Sequence, residues 1–118
     1  MKKMFLLYAA ATIALTPLGA SAQDQAQLDL GKSLFNQWCL SCHGVGPGHP
    51  GTQALDQRYQ GAMPGALEER TNLSPELVSV FVRNGISIMP FFRKTEINDS
   101  ELAAIGAYLS KPPSNVTK

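Results

Sequence analysis

The chain has 118 residues, 44% of them hydrophobic and 16% charged, with two cysteines and a formal net charge of +1. That length allows one ordinary domain, and the near-balance of charge excludes the clustered basic excess of a nucleic-acid binder. The apolar content is too high for a disordered chain.

At the N-terminus, Lys2 and Lys3 precede an apolar run from Met4 to Leu15, which Pro17 and Gly19 break before the small residues Ala20-Ser21-Ala22. This is the order of a secretory signal peptide over residues 1–22, with cleavage expected after Ala22. The run is shorter than the roughly 20 apolar residues a membrane helix needs, so no membrane span is expected after processing. An uncleaved N-terminal anchor is the alternative reading. Processing leaves a domain over residues 23–118, 96 in all, with eight basic and nine acidic side chains. Exported domains this small often add a disulfide or a metal to a limited core.

The first helix of that domain is predicted to run into the cysteine motif. Leu30, Leu34 and Trp38 share one face, and Gly31 and Phe35 lie four apart on a neighbouring stripe. A glycine inside a helix costs about 1 kcal/mol relative to alanine. Close approach of another helix at Gly31 would explain it, with Tyr108 as the expected partner of Gly31 and Phe35.

Cys39-Leu40-Ser41-Cys42-His43 carries the chemistry. A structural disulfide across so short a loop would remove little chain entropy. A redox dithiol would be expected among alternating strands and helices, and zinc wants four ligands where only His43 and His49 could join the thiols. C-x-x-C-H is also the attachment sequence of c-type haem, and that reading fits best. Cys39 and Cys42 would bond the haem vinyl groups, and His43 would sit under the iron.

Residues 44–73 read as loop-rich, with a short helical turn at Ala66–Arg70. His49 lies among Pro47, Gly48, Pro50 and Gly51 and reads as a solvent-side loop residue. The six residues from His43 reach at most about 21 Å, which leaves nothing to spare for passing round a haem to its other face. Ser74-Pro75-Glu76 starts the next helix, with an N-cap, proline at the first position and an acid in the first turn. Leu77, Val78, Phe81 and Val82 follow helical spacing, and Asn84-Gly85 stops it. The last helix begins near Asn98 with Glu101 in capping-box position. Leu102, Ile105, Tyr108 and Leu109 form its apolar stripe, and the tail 111–118, with Pro112-Pro113, is expected to fray.

Two methionines remain after processing, Met63 and Met89, each followed by proline. Met63 sits in a flexible Gly-Ala-Met-Pro-Gly stretch, whereas the Met89 loop is held at both ends by well-signalled helices. Met89 is therefore favoured as the second axial ligand, with Met63 or an open position as the alternatives. An open position would suit an enzyme or sensor such as a peroxidase.

The C-x-x-C-H motif, the later Met-Pro loop and the final Ala107-Tyr108-Leu109 together resemble class I cytochrome c over nearly all of residues 23–118. The resemblance implies an all-α fold of three to four helices around one covalent haem c, with axial ligands His43 and Met89. It also implies a proline carbonyl, from Pro50 or Pro47, accepting the outer N–H of His43. Gly46-Pro47-Gly48-His49-Pro50-Gly51, Val82-Arg83-Asn84-Gly85 and Met89-Pro90-Phe91-Phe92 further resemble the cytochrome subunits of p-cresol methylhydroxylase and eugenol hydroxylase type flavocytochromes. That implies a periplasmic electron-transfer protein, not itself the catalyst. It would accept electrons from a flavoprotein dehydrogenase of 4-alkylphenols and pass them to a downstream redox protein. A free-standing carrier serving a terminal oxidase or other dehydrogenases is the alternative. Tyr59, Arg58, Arg93 and Lys94 are candidates for the haem carboxylates or a partner surface.

Overall fold

The computed structural model describes the backbone over residues 19–111 and side chains from Gln23 onward. Residues 1–18 of the expected signal peptide (1–22) and 112–118 of the expected tail (111–118) lie outside the described residues. Five α-helices follow in chain order: α1 (Gly19–Trp38), α2 (Leu40–His43), α3 (Pro50–Tyr59), α4 (Pro75–Asn84) and α5 (Asp99–Ser110), with a 3₁₀ turn at Leu67–Glu69 between α3 and α4. The all-α expectation holds, with no named strand among the described residues. Helix α1 continues through the expected cleavage point at Ala22.

The most extensive helix–helix contact is between α1 and α5, and α4 packs on α5 next to it. Gly31 makes the α1–α5 crossing possible. A side chain there would run into the Ala104 carbonyl and come within 2.7 Å of Tyr108 Cβ. The Phe35 and Tyr108 rings meet with centroids 5.9 Å apart, so the expected Gly31–Phe35–Tyr108 contact is present. Leu34 and Phe35 of α1, Val78 and Val82 of α4, and Leu102, Ile105, Tyr108 and Leu109 of α5 form the core with Ile97. Leu30, expected on the buried face, is exposed instead, because the α1–α5 crossing is centred on the neighbouring stripe of Gly31 and Phe35.

The caps are those expected from sequence. The Ser74 hydroxyl accepts from the Leu77 N–H at 3.2 Å, and Pro75 opens α4. Asn98 and Glu101 form a reciprocal capping box at α5. Two expectations fail. The first helix does not run unbroken through the cysteine motif, because the chain turns at Cys39 and restarts as α2. The stretch after it is less irregular than expected, because α3 occupies ten of its residues.

Candidate functional site

The cysteine motif is folded by one backbone acceptor. The Cys39 carbonyl takes the N–H of Cys42 at 3.1 Å and of His43 at 2.9 Å, while the Cys39 N–H still bonds Phe35 of α1. Cys42 and His43 are thus set one turn beyond Cys39 on a short helix fastened to α1. Both cysteines are free thiols, Cys39 half-buried against the core and Cys42 exposed. Burial, helped by the neighbouring Cys42, pushes the Cys39 thiol up to about 11.

His43 is held from behind by α3. The Thr52 hydroxyl, itself buried, donates to the Gly44 carbonyl at 2.7 Å. Gly51 packs against the imidazole so tightly that a side chain there would fall 2.7 Å from His43 Cε1 and 2.9 Å from Nδ1. Among the described residues, His43 Nδ1 is the one sealed side-chain polar atom without a hydrogen-bond partner. Burial lowers the pKa of this imidazole, favouring the neutral form that can coordinate a metal. Pro50 opens α3 beside it, with its exposed side chain at the helix start. Neither the Pro50 nor the Pro47 carbonyl is hydrogen-bonded to Nδ1.

His49 departs from the solvent-side reading. Its Nδ1 lies 3.1 Å from the Ser41 carbonyl oxygen, and its half-buried ring covers Gly44. The side chain staples α2 to the N-terminus of α3. The sequence hid this because the surrounding glycines and prolines signal a turn without showing which way the imidazole points.

Met89 sits on a tight turn. Ile86 and Met89 exchange backbone hydrogen bonds at 3.1 and 2.9 Å, and Ser87 between them takes a left-handed φ of 54°. Gly85 at φ 67° starts the turn, and a side chain there would lie 2.7 Å from the Met89 carbonyl oxygen. Beyond Met89, the Phe92 N–H donates to the Val82 carbonyl at 2.8 Å, and Arg83 donates to the Phe92 carbonyl at 3.0 Å. Arg83 also pairs with Asp99 at the start of α5. The Phe92 ring meets Trp38 edge-on at 5.9 Å. The loop is therefore fixed at both ends, and Met89 is half-buried against the core with no hydrogen bond to its sulfur among the described residues.

Met63 is placed differently. Its sulfur accepts from Asn72 Nδ2 at 3.3 Å and from Arg70 Nη2 at 3.6 Å. Arg70 itself is only 6% exposed, with its guanidinium 5.0 Å over the Tyr59 ring and its Nε donating to Asn72. No carboxylate pairs with it among the described residues. A buried guanidinium without an anion is costly, and this cluster is the basic site that sequence reasoning missed. Of the basic residues considered instead, Arg93 pairs with Glu96 and Lys94 with Asp99 on the surface, and Arg58 is exposed. Tyr59 alone falls within the cluster. The segment carrying Arg70 is tied to α5 by a hydrogen bond from the Tyr108 hydroxyl to Glu68.

The donor set suits a haem. A neutral imidazole, two thiols one turn apart, an uncommitted thioether and a buried cation lie around half-buried apolar side chains that include Trp38, Leu40, Leu67, Leu73 and Phe92. Known proteins point the same way. Residues 26–109 match the family model described as cytochrome c oxidase, cbb3-type, subunit III. The chain is 28% identical over 117 residues to the 4-cresol dehydrogenase (hydroxylating) cytochrome c subunit of Pseudomonas putida, over 96% of this chain and 87% of that protein. No solved structure matches.

Proposed function

The chain belongs to the cytochrome c family described as cytochrome c oxidase, cbb3-type, subunit III, and from that premise we propose a periplasmic electron-transfer subunit with one haem c bonded to Cys39 and Cys42 and ligated by His43 and Met89. Electron transfer through haem is what the family supplies. The observation that best supports the ligand set is the contrast between the two methionines: the sulfur of Met63 is engaged by Arg70 and Asn72, whereas that of Met89 is uncommitted on a loop fixed at both ends.

A bound haem supplies a one-electron iron couple, and a methionine ligand raises its potential relative to two histidines. The chain's own residues do the rest. Gly51 and Thr52 hold the imidazole of His43 and the turn behind it. Gly85, Arg83 and Phe92 hold Met89. The Arg70 guanidinium, with Tyr59 and Asn72, offers a carboxylate an otherwise missing partner. Held by His43 and Met89, the iron would offer no open position, which supports assigning substrate chemistry to a partner.

The domain would comprise residues 23–118 after removal of a signal peptide. Its electron donor would be a flavoprotein dehydrogenase acting on a 4-alkylphenol, a reading supported by the relative's name as a 4-cresol dehydrogenase subunit. A downstream redox protein would receive the electrons. Purification from native periplasm tests the partner: a co-eluting flavoprotein is expected, and a cytochrome that elutes alone overturns that assignment. The ligand set is tested by the weak far-red ferric band of iron–sulfur coordination, which should be present in the wild type, survive Met63→Leu and vanish in Met89→Ala. Loss in Met63→Leu alone would reverse the assignment.

A further inference from the structure

We propose that Tyr108 is a positioning residue for the cofactor: its hydroxyl holds Glu68 towards α5 and so leaves the buried Arg70 guanidinium free for a haem carboxylate; this rests on the electron-transfer reading above. Glu68, Glu69 and Arg70 are consecutive, yet among the described residues the guanidinium takes neither acid. Its Nε and Nη2 go to Asn72 and Met63, both neutral. Glu69 is exposed. Glu68 instead accepts a hydrogen bond from the Tyr108 hydroxyl on α5.

That diversion needs a cause. Glu68 and Arg70 lie two residues apart, so their Cα atoms are within about 7 Å, a gap two such long side chains can close. A guanidinium also binds a carboxylate more strongly than a phenol does. What opposes the pair is the fixed position of the phenol. The Tyr108 ring meets Phe35 at 5.9 Å, has the Lys111 ammonium 4.0 Å from its centre, and packs where Gly31 leaves room for it. Held on these sides, it does not follow Glu68 towards Arg70. Turning Glu68 away would strand the hydroxyl of a buried tyrosine without an acceptor, which is costly.

The consequence is electrostatic. Arg70 paired with Glu68 would form a neutral unit, whereas Arg70 left free is a buried positive charge that an incoming anion relieves. The guanidinium is meanwhile kept in place by neutral neighbours alone: Tyr59 beneath it, Asn72 and Met63 beside it. A positive charge held beside the haem favours the reduced iron, because reduction removes one positive charge from the cofactor. Tyr108 therefore acts on the iron couple from α5, through Glu68 and Arg70.

The test compares the haem-loaded wild type with Tyr108→Phe, Glu68→Gln, the double variant and Arg70→Met by potentiometry. Tyr108→Phe should lower the midpoint potential in the direction of Arg70→Met and by at least half as much, because Glu68 is then released to pair with Arg70. In the Glu68→Gln background the same substitution should leave the potential unchanged. Glu68→Gln alone should shift it far less than Arg70→Met does, a comparison that stands even if Tyr108→Phe does not fold. Denaturant titration gives an independent readout: Glu68 and Arg70 should become coupled in a double-mutant cycle only where Tyr108→Phe is present. A wild-type potential in Tyr108→Phe, or an equal fall in both backgrounds, overturns the positioning role but leaves Arg70 at the haem. Glu68→Gln raising the potential as far as Arg70→Met lowers it also overturns that role, since Glu68 would already be neutralising Arg70. A wild-type potential in Arg70→Met removes the haem-carboxylate reading, and this proposal with it.

Discussion

Replacing Gly85 with alanine tests how Met89 is held. Gly85 adopts φ 67° and ψ 174°, a combination open essentially to glycine alone, and a side chain forced into it costs about 1–3 kcal/mol. The added carbon would lie 2.7 Å from the Met89 oxygen, 3.0 Å from the Phe91 nitrogen and 3.1 Å from the Pro90 carbonyl carbon. All three are backbone atoms of the Met89 loop, so none can rotate aside, and overpacking of this kind adds about 1–3 kcal/mol. The nearest atoms all belong to the Met89 loop, so the loop rather than the domain should yield. In the haem-loaded protein, the far-red iron–sulfur band should therefore disappear at lower temperature and denaturant than helical circular dichroism does. Gly46→Ala is the matched control, because Gly46 also has a left-handed φ, 91°, but open space around it. It should show only the backbone cost of about 1–2 kcal/mol, with the band following the global transition. If Gly85→Ala keeps its band and matches Gly46→Ala within about 0.5 kcal/mol, the loop has another comfortable conformation and the reasoning fails.

Gly31→Ala should destabilise the domain by about 2 kcal/mol in denaturant titration, because the methyl meets the Ala104 backbone; a gain of about 1 kcal/mol, the helix-propensity value, would refute the close crossing. Arg70→Met should lower the midpoint potential and bring a pH dependence into the neutral range, since a positive charge beside a haem carboxylate favours both the reduced iron and the ionised carboxyl; potentiometry at several pH values checks this, and an unchanged profile would place Arg70 away from the haem. Asp99 has its pKa lowered, first by the hydrogen bond from Lys94 and then by Arg83. Its folded form binds fewer protons than its unfolded form, so its stabilisation is present above the ordinary carboxylate pKa, about 4, and is lost as pH falls through the lowered value. Asp99→Asn should therefore flatten the acid dependence of the far-red band below about pH 4.

What the sequence made legible was whatever local chemistry determines. Ser74-Pro75-Glu76 and Asn98 with Glu101 mark helix starts because their side chains cap the turn they begin. Gly31 was legible because its helix-propensity cost demanded a packing reason, and Ala104 supplies it. Helix α3 escaped notice because its ten residues open with Pro-Gly and carry no clear apolar stripe. It is held by Thr52 on Gly44 and by Asp56 accepting the Gly65 N–H at 2.8 Å, contacts that no periodicity encodes. Arg70 was missed for a related reason. Its charge reads as solvated until Tyr59, Met63 and Asn72 are seen to converge on it.

The two proposed ligands are secured by unlike means, and that difference sets the order in which they should let go. His43 stands on α2, which is fastened to α1 through the Cys39–Phe35 hydrogen bond and backed by the buried Thr52. Breaking its support means exposing buried polar groups. Met89 depends on a turn, on Gly85 and on Arg83, whose partner Asp99 is well exposed. Exposed ion pairs contribute at most about 1 kcal/mol and weaken with salt and acid. The Met89 side should therefore open first under heat, acid or denaturant, leaving His43 in place on an intact α1–α5 core.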